Sequence, residues 1–510
     1  MLHELAELRT DAMELAAKLA RVEHLRASGR PYGETTLPLL LREHRLSTMG
    51  DGLAQACEEL GNALDEDPPR PGRVARLSML RDFLARARAL GLEPGAAQEL
   101  LELDRRRLVR PPGDAGLHGA LPPVQVEREL PFVRERDKRA DLEQALARAL
   151  EEAGGPRSAV FETAQAALSE LRLGEPGAAA IALQARSWGG EGPAAEAEKL
   201  LRATDSIAGD LGAWLLERNT GARPAPGGAE RHDVLQLQNA PHCASAFPRG
   251  ELLRTVRRWA AMLRLDLGAG GAVRLDEEEE PLRPAGACAV ALDPPDEVRV
   301  LVFPAEGPRA LGQLLAAISV AHLQAGPPGD APPEDLWLCD RALPHACGAL
   351  LGSLVRDPDF LRRCAKTDLR RDDERAIAYA SVLDARLAAA RTLGSLEGHA
   401  SGFGTRAGEA MRELYTRAVG AELPAGLALR ELDPWLGSWA ELRGLALSSR
   451  LRAFLRDRFD ADFWRNPRAL ASLQGLWGRG GRPTIAELWA ELGGTPSVDA
   501  LAADLVEACG

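Results

Sequence analysis

Histidine and cysteine are the residues of this chain that could bind a metal or act as nucleophiles, and their spacing disfavours both. A catalytic zinc helix needs two histidines one turn apart, with a glutamate between them as general base. None of the nine histidines is four residues from another, and the sequence contains no H-E-x-x-H. Cys339, His345 and Cys347 lie close in sequence, but C-x5-H-x-C is not the spacing of a closed zinc site. Buried small residues on a helix are the simpler interpretation.

Three other candidates also favour structural interpretations. His322 shares a predicted helix face with leucines and an isoleucine, which is typical of a core histidine. The dipeptides His232–Asp233 and His242–Cys243 begin predicted elements, and a Cys–His nucleophile could arise there only by spatial pairing. The glycine-containing segment 402–408 follows no predicted strand, so a turn or a helix start is favoured over a nucleotide site.

Composition predicts the elements that would position these residues. Alanine, leucine and arginine dominate and aromatic residues make up only 4%, which favours helix over sheet. The net charge is -12 with basic residues scattered among acidic ones, so no nucleic-acid partner is expected.

Seven dispersed cysteines favour a reducing cytoplasm. The N-terminus lacks a signal-peptide core. The uncharged run 310–329 contains glutamine, serine and histidine, so a buried helix is favoured over a membrane span.

The chain divides into two predicted domains at the loop 220–230. An N-terminal helical lobe is predicted over 1–220, with a turn-rich linker at 111–123, and a second lobe over 230–510. After an opening amphipathic helix, the patterns predict helices at about 36–64, 73–91, 94–109, 133–153, 156–172, 176–188 and 193–218.

One small sheet is predicted within 271–303, from short apolar runs at Gly271–Leu275, Cys288–Leu292 and Val298–Phe303. The acidic run 276–280 is interpreted as a solvated hairpin tip. The third run leads through a turn into a predicted hydrophobic helix at 308–325, which is followed by another helix at about 334–356.

Four segments together resemble the thimet oligopeptidase/oligoendopeptidase F type of zinc metallopeptidase. The resemblance covers roughly 230–495. It rests most on the C-terminal run, which keeps many residue types in register over about 50 positions. The segments are RHDVLQL (231–237), the strand region 275–308, DRALPHACGALLGSLVRDPDFL (340–361) and the run 439–493.

The resemblance implies a mainly α, two-lobed fold around a channel, but with the zinc-binding residues replaced. When LLAAISVAHL is aligned with the family's zinc helix, Ala316 and Val320 occupy the positions of the two histidine ligands, and Ala317 occupies the position of the catalytic glutamate. His345 stands for the third ligand, a glutamate, and Glu441 for a C-terminal tyrosine. The expected metal and cofactor content is therefore none.

A register shifted by two residues would place His322 at the second ligand position. It would replace the first histidine by Ile318 and the glutamate by Ser319, so the zinc site is lost in either register. Ser319, His322 and Glu441 are retained as possible cleft residues.

Three functional hypotheses follow. The first is a catalytically inactive metallopeptidase-like protein that binds a peptide or protein partner in the inherited cleft. The second is an enzyme with a relocated, zinc-free site that uses His322, His345, His232 or Cys347. The third is a helical interaction module unrelated to peptidases, which a fold without a sheet beside helix 308–325 would favour.

Overall fold

The computed structural model describes residues 2–510 except 34–35, 107, 111–119, 152–153, 186–187, 224, 226, 269, 279 and 304. The described part is built mainly from α-helices, which confirms the predicted class. The first eleven helices are α1 (Leu2–Ser28), α2 (Leu37–Glu43), α3 (Arg45–Thr48), α4 (Gly50–Asp65), α5 (Pro71–Leu92), α6 (Pro94–Arg106), α7 (Pro123–Glu129), α8 (Arg136–Glu151), α9 (Gly154–Glu170), α10 (Pro176–Ala185) and α11 (Pro193–Thr220).

The second half continues the helical pattern around a short β segment. Its helices are α12 (Arg231–Gln238), α13 (Arg249–Leu263), α14 (Pro308–Ala325), α15 (Pro333–Trp337), α16 (Ala342–Gly352), α17 (Pro358–Phe360), α18 (Arg371–Ser401), α19 (Thr405–Val419), α20 (Ala425–Ala428), α21 (Gly437–Phe459), α22 (Pro467–Trp477), α23 (Ile485–Glu491) and α24 (Asp499–Cys509). The strands are β1 (Ala229–Glu230), β2 (Val273–Asp276), β3 (Gly286–Asp293), β4 (Glu297–Phe303) and β5 (Ala421–Glu422).

The predicted small sheet is confirmed as the three strands β2, β4 and β3, in that order. β4 is central, parallel to β2 and antiparallel to β3. Of the solvated hairpin tip predicted at 276–280, Glu277 and Glu278 are exposed as expected, and residue 279 lies outside the described residues. The hairpin itself was wrong, because β2 and β3 both pair with β4 and not with each other. Asp276 is buried there and accepts a hydrogen bond from Arg283 Nη2 at 2.9 Å. The sequence pattern did not predict the two-residue parallel pair of β1 and β5.

Two predicted helices are broken by close backbone contacts. The segment 36–64 forms three helices because the chain turns at His44 and Met49, where a Cβ on Gly52 would lie 2.0 Å from Leu46 O. The segment 334–356 is interrupted after Trp337, where Gly481 packs against the backbone of the next residue. Only glycine permits approaches this close. The predicted linker 111–123 lies mostly outside the described residues.

Helix α14 is placed at the centre by its apolar sequence. Leu311, Leu314, Leu315 and Ile318 are each 2% exposed or less. The helix packs against strands β3 and β4 on one side and α16 on another, and α16 packs in turn on α21. A fold without a sheet beside α14 would have favoured the hypothesis of an unrelated helical module, and the sheet is present.

Hydrophobic contacts continue across the predicted domain boundary. Trp188 of the N-terminal half makes edge-on contacts with Trp439 and Trp489, at ring-centroid distances of 5.4 and 6.3 Å. Helix α11 also packs along α18. The division at 220–230 falls between α11 and α12, and the two-domain organisation stays a prediction. None of the described helices is long and apolar enough to cross a membrane.

Candidate functional site

The face of α14 that meets α16 consists of Gly312, Ala316 and Val320, one helical turn apart. A Cβ placed on Gly348 of α16 would lie 3.4 Å from Val320 Cγ2 and 3.5 Å from Ala316 Cβ. A Cβ on Gly352 would lie 3.4 Å from Ala316 Cβ. The two helices therefore meet through small side chains, in direct van der Waals contact.

This contact favours the first register over the shifted one. Ligands to a metal between α14 and α16 must project from the α14 face that meets α16, and positions 316 and 320 do so. In the shifted register the first ligand position falls on Ile318, which is completely buried. The second falls on His322, whose ring stacks on Trp477 of α22 at a centroid distance of 5.1 Å. Ser319 is also buried, and its hydroxyl has no hydrogen-bond partner among the described residues.

The residues at these positions do not fit a zinc ion. Alanine and valine have no donor atoms, so Ala316, Ala317 and Val320 cannot coordinate zinc or act as general base. His345 would be a single ligand. Among the described residues, no group of three or more histidine, cysteine, aspartate and glutamate side chains is arranged to hold a metal.

The positions of the first and third predicted ligands line two different cavities. A cavity of about 210 Å³, the Ala316 cavity, is lined by Ala316 together with Arg309, Arg356, Asp384, Leu445 and Ser448. A second cavity of about 460 Å³, the His345 cavity, is lined by Arg231, His345, Arg391, Arg430, Glu431 and Glu441, among others. His345 lies against α21, where a Cβ on Gly444 would be 2.5 Å from His345 Cβ.

Ion pairs dominate the wall of the His345 cavity. Arg391 Nε donates to Glu431 Oε2 at 2.6 Å, and Arg231 Nη1 donates to Glu143 Oε1 at 2.9 Å. The neighbouring guanidinium groups, Arg391 first, hold the pKa of Glu431 below its usual value although burial opposes them. These partners keep the charged groups fixed, as buried charges require.

Two groups in this cavity have strongly shifted pKa values. Burial raises the pKa of Glu441 to about 7, against the opposing effect of Arg391. The imidazole of His345 reaches open space, yet the surrounding protein desolvates it and lowers its pKa to about 4, with Arg341 and Arg443 adding to the shift. At neutral pH the imidazole is uncharged and the Glu441 carboxyl is close to half protonated. Such a pair of shifted groups in one cavity is a common feature of functional sites.

The four residues of the relocated-enzyme hypothesis lie in different surroundings. His232 is completely buried with Nε2 2.8 Å from Glu230, and burial lowers its pKa to about 4. Burial raises the pKa of the Cys347 thiol to about 12, so it is a poor nucleophile. His322 packs on Trp477 as described above, which leaves His345 as the candidate that lines a polar cavity.

The sequence did not point to the charged partners in either cavity. Arg391 and Glu431 are separated by 40 residues, and Arg309 and Asp384 by 75. Arg309 Nη1 bonds both Asp384 oxygens, at 3.0 and 2.9 Å. No local spacing identifies such pairs. The only signal was the position of Asp384 and Arg391 among the alanines and leucines of α18.

Comparison with solved structures identifies the architecture. The chain superposes along its whole length on the M32 carboxypeptidase from Deinococcus radiodurans R1, with a TM-score of 0.55, 15% identity and 100% of both chains covered. It also resembles PZ peptidase A, with a TM-score of 0.62, 11% identity and coverage of 100% and 97%. A protein of Bacillus anthracis str. Ames described as an oligoendopeptidase F gives a TM-score of 0.60, 11% identity and coverage of 99% and 95%.

This is a metallopeptidase fold. No protein-family profile and no curated protein sequence matches the chain. At these identities the likeness establishes the architecture alone. The resemblance first drawn from sequence motifs is thereby confirmed at the level of the fold, which extends to the N-terminal half as well.

Proposed function

We propose that this chain is a zinc-free member of the metallopeptidase fold that binds a peptide or protein partner in its cleft and does not hydrolyse it. One observation carries the proposal. The α14 positions that face α16 are Ala316 and Val320, and neither can hold a metal. Without zinc, the fold lacks the Lewis acid and the bound water of lowered pKa on which such peptidases depend.

The helix contact supports the same conclusion. A protein that had only lost its metal would leave buried polar ligands unpaired, at a cost in stability. Here the corresponding face is made of alanine, valine and glycine in van der Waals contact. The face is therefore consistent with a role in packing.

The His345 cavity supplies what a bound segment would need. Peptide groups require hydrogen-bond donors and acceptors, and this cavity offers Arg391, Glu431, Glu441 and a neutral His345. The ion pair between Arg391 and Glu431 holds both side chains in place, so the site is largely pre-formed. We therefore place the partner's contact at this cavity.

The catalytic part of the proposal is tested by metal loading. The purified protein is equilibrated with zinc, desalted and analysed for bound metal, and peptidase activity is assayed with and without a chelator. We expect metal well below one equivalent and no chelator-sensitive activity. The variant A316H/A317E/V320H/H345E places donor atoms at all four positions and tests whether these positions can still converge on one zinc ion. Stoichiometric zinc in the wild type, with activity lost on chelation, would refute the proposal.

The binding part is tested with a random peptide library presented to the immobilised protein. We expect selective retention by the wild type and its loss in H345W, because a large ring fills the His345 cavity. Leu39 is exposed, so L39W is the control for added surface aromaticity. Equal retention by H345W and the wild type would remove this cavity from the proposal.

A further inference from the structure

The Ala316 cavity has a wall that is mostly apolar and one buried cation. Its apolar lining includes Val355, Ile377, Leu445 and Leu505. Val355, Ile377 and Leu505 are buried, and Leu445 is partly exposed. Arg356, at the end of the short helical turn after α16, lines the same cavity with a side chain that is 10% exposed. A guanidinium in such surroundings needs acceptors for all of its N–H groups.

The hydrogen bonds of Arg356 are incomplete. Its Nη2 donates to Asp504 Oδ2 at 3.0 Å. Its Nε and Nη1 are buried and have no acceptor among the described residues. Leaving buried donors unsatisfied is unfavourable, and a group in the adjoining cavity can supply the missing acceptor.

The charges around Arg356 are also unbalanced. Asp504 is shared between Arg356 and Arg452, which both contact its carboxylate. The other charged lining residues, Arg309 and Asp384, neutralise each other in a two-oxygen pair. Asp504 is therefore not available to Arg356 alone, and the described lining of the cavity offers Arg356 no other carboxylate that is free of a partner.

We propose that the Ala316 cavity binds a small monocarboxylic acid with a short branched apolar tail. The carboxylate would accept from Nε and Nη1 of Arg356, in the two-point geometry that guanidinium groups favour. Both nitrogens are buried, so binding requires a rotation of the guanidinium towards the cavity, a change common at binding sites. The tail would pack on Ile377, Leu445 and Leu505.

The volume limits the ligand to a small molecule. A cavity of about 210 Å³ holds about seven water volumes of ~30 Å³ each. That volume suits a six-carbon branched acid and is too small for a peptide of several residues. The hydroxyl of Ser448, on the wall formed by α21, is a further polar group for the ligand. This site goes beyond the proposed peptide contact at the His345 cavity and does not depend on it.

The test is calorimetric titration of the full-length protein with three probes. Isocaproate has the charge and the tail, isocaproamide has the tail without the charge, and inorganic phosphate has charge without the tail. We expect isocaproate to bind about tenfold or more tightly than either of the others, since a hydrogen bond to a charged group is worth at least this factor. Equal binding of acid and amide would overturn the proposal. So would the absence of saturable isocaproate binding, which would leave water as the acceptor of Arg356.

Variants locate the binding. R356M is expected to weaken isocaproate binding about tenfold or more, while R362M, at an exposed arginine six residues away, should leave it unchanged. R356K keeps the charge beside Asp504 and loses the two-point geometry, so it tests the site if R356M fails to fold. S448L fills the cavity without changing any charge and should abolish binding. Unchanged affinity in S448L or R356K would contradict the proposed position.

Discussion

The Ala316 cavity and the His345 cavity follow one another along the same face of α16 and α21, and they differ in chemical character. Around Ala316 the helices meet through glycine, alanine and valine, and the cavity wall is largely apolar. Around His345 the wall is largely charged, and its arginines, Arg231, Arg391 and Arg430, are each paired with a carboxylate. The helix contact of the first region carries no metal-donor side chain, whereas the second region carries a set of polar groups.

This difference indicates that the fold and the polar chemistry of this protein depend on different residues. The metallopeptidase fold is maintained by packing, which alanine and glycine provide as well as metal ligands do. The arginines that line the His345 cavity are each paired with a carboxylate, so they do not depend on a metal for their stability. Any activity of this chain is therefore to be sought at the His345 cavity.

The contact of α16 with α21 is tighter than its contact with α14, and this gives the largest expected difference in the free energy of unfolding. A Cβ on Gly444 would lie 2.5 Å from His345 Cβ and 2.6 Å from Ala342 O, so G444A must force α16 and α21 apart. We expect G444A to lower the free energy of unfolding by about 3 kcal/mol, measured by urea denaturation. In G352A the nearest atom, a backbone oxygen of α14, would be 3.2 Å away, and the expected loss is about 1 kcal/mol.

Gly475 provides the control for both variants. It lies in α22 with no atom within 4 Å of a placed Cβ, so G475A should be neutral or raise stability by up to about 1 kcal/mol. If G444A were as stable as G475A, the close packing of α16 on α21 would be wrong.

Breaking the ion pair of Arg391 and Glu431 should give the next largest change in the free energy of unfolding. Glu431 is 10% exposed in its side chain, and R391M leaves it without its partner. We expect a loss of about 2 kcal/mol, reduced from the value for a fully buried pair because Arg391 is 35% exposed. Urea denaturation measures it, and R417M, which breaks the exposed pair of Arg417 with Glu198, should change stability by under about 0.5 kcal/mol. Equal effects of the two variants would mean that the His345 cavity is no more ordered than the surface.

The carboxyl of Glu441 makes stability depend on pH. Its pKa rises from 4.5 in the unfolded chain to about 7 in the folded protein. The folded state therefore binds the proton more tightly, and stability falls as pH rises from about 4.5 to 7. E441Q removes this dependence, so it should match the wild type near pH 4 and exceed its stability by about 2 kcal/mol at pH 8. Stability curves of the two proteins that stay parallel from pH 4 to 8 would show that Glu441 is not desolvated.

The sequence predicted the parts of this molecule that depend on local patterns. The run Val298–Gly326 gave both β4 and α14, because a strand, a turn and an apolar helix follow one another there without interruption. Register on a known zinc helix singled out Ala316 and Val320, which do face α16. The break after Trp337 could not be predicted, since it depends on Gly481, which is far along the chain.

The same limit applies to the two cavities. The resemblance assigned His345 and Glu441 to one cleft, but no local pattern did so, because the contact of α16 with α21 brings them together. Arg356 meets Asp504 across 148 residues. Such pairs are set by tertiary packing and have no local pattern.

The smallest expected effect concerns His345 itself. Desolvation by the surrounding protein lowers its pKa to about 4 from 6.5, so the unfolded chain binds its proton first, and stability falls as pH drops from about 6.5 to 4. Because the side chain reaches open space, we expect H345N to recover less than about 1 kcal/mol near pH 4.5. Proton NMR titration of the imidazole gives the pKa directly, with His24, which is only half-buried, as the reference. A titration midpoint near 6.5 would place His345 in bulk water and would remove the strongest reason for seeking a binding site at this cavity.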